Sequence, residues 1–223
     1  MSTCNTSGLP GFVPRKPPET VYMAWISGLG FISSAIKRFD RIPYMGKMIP
    51  TEVSHVLWLF EWDGPTLGYE SHLDGGIQVT PYQHIKRACK DRKIDWMHRE
   101  RMDILPLDGL RLWNRCVERH HKPYNVGMII RYYFWIRLLK RNPNQKPPKW
   151  LKNHDTCNTF VIATAGGWGD KSPIIDETLV WPHDYSQTPE QLFRNVVGEP
   201  SYVTRAQGVL PPLDGGHLYD PKP

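Results

Sequence analysis

The chain has 223 residues, 40% hydrophobic and 12% aromatic, so it carries enough apolar surface for one packed core and is not a disordered polymer. Its net charge of +6 is compatible with attraction to phosphate, anionic lipid or acidic polymer, and equally with a solvated basic surface. Cys4, Cys89, Cys116 and Cys157 lie far apart with no short paired spacing, which excludes a zinc-ligand pattern and a disulfide framework and leaves reduced thiols.

Residues 1–20 read as a flexible leader, because Pro10, Pro14, Pro17 and Pro18 oppose regular structure and little around them is apolar. They show no apolar stretch behind a basic start, so no secretory signal is expected, and the location of the protein is left open: a soluble chain made in the cytoplasm, with virion or envelope association as one outcome. Val21 to Ile26 predicts a strand, and the apolar spacing of Phe31, Ala35, Ile36 and Phe39 predicts a short helix. Asp40 to Pro50, interrupted by prolines, reads as a loop. Val53 to Phe60 has the continuous apolar character of a buried central strand and carries His55. Gly64-Pro65 turns the chain into Thr66 to Ser71, and Asp74-Gly75-Gly76 turns it again into Ile77 to Thr80, so three successive antiparallel strands are expected.

Pro81 to Lys93 reads as a short helix or loop with basic residues, and Trp96 to Leu105 as a further strand. Leu107 to His121 has helical spacing that ends before Pro123. Val126 to Arg141 is a second helical stretch; its core, Val126 to Leu139, is too short and too charged for a membrane span. Beyond the connector Asn142 to Pro148, the run Cys157 to Ala165 suits a buried helix stopped by Gly166-Gly167, which places Cys157 at a helix N-terminus. Thr188-Pro189 opens the last helix, and residues 198–223 form a Pro- and Gly-rich tail. The domain proper is thus residues 21–197.

The chemistry concentrates in three pieces, Ser54-His55-Val56, Tyr69-Glu70-Ser71 and Thr156-Cys157-Asn158. A thiolate forms at neutral pH only beside a cation or a helix N-terminus, and Cys157 has the second by its position. His55 on a strand is the matching general base. Glu70, on the strand that runs back beside it, is the group to orient the imidazole, with His72 as its substitute on the same face. Taken singly, Cys157 and His55 are more often core residues and Glu70 a surface charge. Their order in the chain, His, Glu, Cys, is the reverse of the papain order and points to the same kind of pocket built from a differently opened chain.

The segment Ile26 to Phe39, the Ser54-His55-Val56 strand, Tyr69-Glu70, Gly76-Ile77-Gln78-Val79, Pro123-Tyr124 and the helix opened by Cys157 together resemble the circularly permuted papain-like group of the NlpC-like superfamily, which includes lecithin:retinol acyltransferase relatives. The resemblance runs from about Ile26 to Phe193; where many relatives carry Cys-Ser, this chain has Cys157-Asn158. It implies an α+β fold, a permuted papain-like domain in which an antiparallel β-meander or barrel packs against the nucleophile helix. It also implies a thiol-dependent hydrolase of an amide or peptide bond, with no cofactor. Cell-wall peptide is the expected substrate, and assembly with virion or cell-envelope proteins is an expected partnership.

Other classes compete with this reading. An acyltransferase or thioesterase uses the same residues, and a structural virion module keeps the scaffold without the chemistry. Lys86, Arg87, Lys90, Arg92 and Lys93 form a basic run, for which a solvated loop outweighs a specific nucleic-acid site. His120, His121, His154 and Asp155 are metal-ligand types without ligand spacing. Trp58, Trp62, Tyr132, Tyr133 and Trp135 suit a substrate surface and a packed core equally.

Overall fold

The computed structural model describes residue 14 and residues 16–30, 33–34, 36–37, 41–44, 47–72, 75–91, 93–124, 156–167 and 189–197. The expected helix Val126 to Arg141 with Tyr132, Tyr133 and Trp135, the connector after it, His154, Asp155, Arg92, Thr188, the first 13 residues and the tail from 198 lie outside these.

A five-stranded antiparallel sheet forms the centre. Its strands are β1 (Thr20–Gly28), β4 (His55–Glu61), β5 (Thr66–His72), β6 (Gly76–Pro81) and β7 (Ile94–Arg101), in the order β6-β5-β4-β1-β7. β2 (Arg41–Tyr44) and β3 (Lys47–Pro50) make a separate two-stranded ribbon. Helices α1 (Tyr82–Lys90), α2 (Pro106–Glu118), α3 (Cys157–Ile162) and α4 (Pro189–Val197) complete the described elements, and α3 runs on into a π turn at Ala163–Gly167.

The continuous apolar character of β1 and β4 has a direct cause, since helices cover both sheet faces. On one face Met23, Trp25, Val56, Trp58, Phe60 and Tyr69 join Leu112, Trp113, Cys116, Cys157, Phe160 and Phe193 of α2, α3 and α4 in the larger core. On the other, Ala24, Ile26, Leu57, Leu59 and Met97 pack with Tyr82 and Ile85 of α1. Trp58 and Trp62 therefore belong to the interior and present no substrate surface. Each fully buried large side chain of this kind contributes ~2 kcal/mol through area removed from water.

The β4-β5-β6 meander forms as the turn residues predict: Gly64 and Gly76 take the positive φ values, 110° and 67°, that side chains resist. Three expectations need correction. The sheet does not close into a barrel: β6 and β7 remain its two edges, and the edge of β6 at Ile77 is met by the chain after α2, where Ile77 N–H donates to Lys122 O and His121 N–H to Ile77 O. The supposed loop Asp40 to Pro50 contains the β2-β3 ribbon, in which Pro43 faces Met48 and Pro50 faces Arg41. Proline is tolerated there because each strand of a two-stranded ribbon has an outward side that needs no donor. The strand expected at Trp96 to Leu105 is Ile94–Arg101, held by pairing with β1 rather than by its own pattern.

Candidate active site

Cys157 is the first residue of α3 and is 2% exposed. Thr156 caps the helix: its side chain accepts from Thr159 N–H, while the Thr159 hydroxyl accepts from Thr156 N–H at 2.6 Å, a reciprocal capping box that fixes the first turn and the direction of the Cys157 side chain. Farther along, Thr164 accepts a hydrogen bond from Trp58 Nε1 (2.8 Å) and donates to Phe160 O, and Arg115 of α2 donates to Thr164 O at 3.0 Å. These contacts pin the π turn to the sheet and to α2, so α3 is capped at its start and anchored at its far end.

His55 is the first residue of β4. The β4-β5 ladder spans only Trp58↔Tyr69 to Glu61↔Thr66, so His55 and Glu70 both lie beyond its last pair, where the two backbones are no longer laddered. Across that opened end His55 Nε2 meets Glu70 Oε2 at 2.9 Å. The other ring nitrogen is left for Cys157, to which the imidazole is hydrogen-bonded. Ser54 secures the strand start: its hydroxyl accepts from Gly28 N–H (2.9 Å) and donates to Ile26 O, the residue opposite His55 in β1. Glu70 is buried, and its second oxygen accepts a hydrogen bond from Thr80 of β6.

The electrostatics follow from these contacts. Burial pushes the His55 imidazole down, but the hydrogen bonds to Cys157 and Glu70 and the charges they carry outweigh it and lift it to about 10. Burial pushes Glu70 up, yet the hydrogen bond and charge of His55, the charge of His72 and the Thr80 hydroxyl bring it to about 2. The result is a charged His55–Glu70 pair at neutral pH. His72 is exposed at the end of β5 and acts on Glu70 through its charge; Glu70 makes the contact to the His55 ring.

Two contributors escaped the sequence reading. Thr80, which fixes Glu70, carries no signal in a β-strand. Tyr124 stood in the Pro123-Tyr124 pair without a role; its hydroxyl is hydrogen-bonded to Cys157, and burial followed by the Cys157 charge raises it well above the ordinary tyrosine range, so it stays a donor. It is brought there by the strap that meets β6: a Cβ on Gly76 would collide with Lys122 O and Pro123. The close approach of two backbones at Gly76 sets the position of Tyr124.

The remaining candidates are accounted for individually. Among the described residues no group of three or more His, Cys, Asp and Glu could hold a metal ion, and His120 bonds Tyr69 at 2.9 Å. Lys86, Arg87, Lys90 and Lys93 are exposed around α1, with Lys86 over the Tyr82 ring. No described helix is long and apolar enough to cross a membrane. Compared with known proteins, the sequence matches no family model and no curated protein.

Proposed function

We propose that this chain is a thiol-dependent hydrolase of amide or peptide bonds on a permuted papain-like scaffold, with Cys157 as nucleophile, His55 as acid and base, and Glu70 as the orienting carboxylate. One observation carries the reading: His55 bridges the Cys157 sulfur and the buried, ionised Glu70, which itself is held by Thr80. A core histidine needs a hydrogen bond, not a chain of four side chains drawn from three strands and a helix start.

In the proposed reaction the Cys157 thiolate attacks the carbonyl carbon and forms a C–S bond, and the carbonyl electrons move onto oxygen. The Cys157 N–H, at the first helical position and so without an intrahelical partner, is suited to receive that oxyanion. Collapse breaks the C–N bond as His55 gives its proton to the departing amine, which leaves a thioester. Neutral His55 then takes a proton from water, the hydroxide adds to the thioester carbonyl, and the thiolate departs beside the reprotonated ring. Glu70 and Tyr124 contribute by position and charge: the first holds the ring with one nitrogen toward sulfur, the second donates to the thiolate. Cell-wall peptide as substrate, and virion or envelope proteins as partners, belong to this proposal through the resemblance of the motifs.

The test is acylation. Incubation with an activated ester such as p-nitrophenyl acetate, followed by peptide mapping, is expected to place a hydroxylamine-labile acetyl group on Cys157, absent in Cys157→Ala and strongly reduced in His55→Ala. Release of p-nitrophenol without any Cys157 adduct, equal in both variants, would contradict the assignment.

A further inference from the structure

The first turn of α3 carries one polar side chain beyond the capping box. Thr156 and Thr159 are bonded to each other: Thr156 N–H donates to Thr159 Oγ1 at 2.6 Å, and the Thr159 hydroxyl lies 3.1 Å from Thr156 Oγ1 and 3.3 Å from Thr156 O. Asn158 stands between them in the chain, partly buried, next to the buried Cys157. Its side chain folds back to the cap, where Asn158 Oδ1 accepts from the Thr156 hydroxyl at 2.6 Å. That length suits an O–H···O bond and is short for N–H···O, so the amide oxygen faces Thr156 and the amide nitrogen faces away from it.

The end of the turn to which this amide folds is the end where the reaction above puts the substrate oxygen. Phe160 N–H closes the first helical bond, onto Thr156 O at 2.9 Å, so the Cys157 N–H comes before it and points out of the helix start. Asn158 is tethered there twice, by its own backbone one residue from the nucleophile and by Thr156, which limits how far its nitrogen can move from that N–H. A side-chain amide suits the task. It carries two hydrogens on nitrogen, and it is neutral, so it stabilises charge that develops on oxygen without depending on the charge of the thiol.

We propose that the Asn158 side-chain amide is a catalytic oxyanion donor, which together with the Cys157 N–H holds the carbonyl oxygen of the substrate while sulfur is bonded to its carbon. The proposal rests on the thiol-site reading above and adds a residue to it. Two reagents at the same sulfur separate the role of Asn158 from that of the thiolate. With p-nitrophenyl acetate the thiolate adds to the carbonyl carbon, the carbonyl electrons move onto oxygen, and the C–O bond to p-nitrophenolate then breaks to leave the thioester. With iodoacetamide the thiolate displaces iodide at a saturated carbon, and no charge develops on a carbonyl oxygen. A donor to the oxyanion therefore affects the first reaction and leaves the second alone.

The experiment measures both rates at Cys157 by peptide mass spectrometry at pH 7, in the wild type, Asn158→Ala and Asn158→Asp. The ratio of acylation to alkylation is expected to fall about 100-fold in Asn158→Ala. Asn158→Asp keeps an acceptor for Thr156 and suits a helix start, so it protects the fold while it removes the donor; its ratio is expected to fall at least as far. Any change in the thiolate itself slows both reagents and cancels in the ratio. A ratio equal to that of the wild type in both variants, whether the two rates hold or fall together, overturns the donor, reduces Asn158 to part of the cap and leaves the thiol reading standing. A wild-type Cys157 that takes neither label, or only the alkyl one, overturns the hydrolase reading and the donor with it.

Discussion

Cys116 and Cys157 sit in the same hydrophobic core, 0% and 2% exposed, each on a helix that packs against the central sheet. Cys116 lies within α2, where burial pushes its thiol well up, and the Thr164 hydroxyl and the charges of Arg119 and Arg115 do not offset it. Cys157 opens α3 against an imidazole that carries positive charge and a tyrosine hydroxyl that donates. Burial alone thus makes a thiol inert. What distinguishes the second is a positively charged neighbour, the His55 imidazole, itself fixed by Glu70.

The largest expected effect removes that partner. His55→Ala is expected to slow iodoacetamide alkylation of Cys157 at pH 7 by roughly 100-fold or more, while Cys116 in the same sample reacts only on unfolding. If Cys157 and Cys116 instead react alike in the native wild type, the difference between the two regions disappears.

The next effect tests what fixes the imidazole. Glu70→Gln removes the negative charge and is expected to slow Cys157 alkylation about tenfold, the worth of one unit of His55 pKa. It also gives a pH signature in urea unfolding. His55 is raised in the folded state, so its contribution is fully present below about 6.5 and is lost as pH rises through about 10. Glu70 is depressed, so its contribution is present above about 4.5 and is lost as pH falls through about 2. The stability gap between wild type and Glu70→Gln is therefore expected to be widest near pH 5–6 and to close toward both extremes. A gap that does not vary with pH would mean the pair is uncharged.

The smallest effect falls on the strap. Gly76→Ala forces a Cβ against Lys122 O at a φ of 67°, which is expected to cost about 1–3 kcal/mol of stability and to displace Tyr124 from the sulfur. Thermal unfolding together with Cys157 alkylation checks both parts; a variant as stable as the wild type would mean that the strap is not tightly held.

Much of this arrangement was legible in the chain. The strand carrying His55 follows from an unbroken apolar run, the hairpins from Gly64-Pro65 and Gly75-Gly76, and the helix start at Cys157 from Thr156 and the small apolar residues after it. The less legible features depend on long-range contact. Prolines conceal the β2-β3 ribbon because the pattern does not say which backbone donors a ribbon leaves outward. Nothing local marks β6 as an edge met by a strap rather than a strand, so neither the open sheet nor the Tyr124 hydroxyl could be read from spacing. Thr80 is an ordinary β-branched strand residue until β5 is laid beside β6.

The central claim is that His55 is a charged imidazolium between Cys157 and Glu70, and NMR titration of the His55 ring tests it most directly. The ring is expected to remain protonated through pH 8 and to titrate near about 10, and to fall back toward the ordinary histidine range when Cys157→Ala and Glu70→Gln are combined. A wild-type His55 that titrates near 6.5, unmoved by those substitutions, would contradict the account.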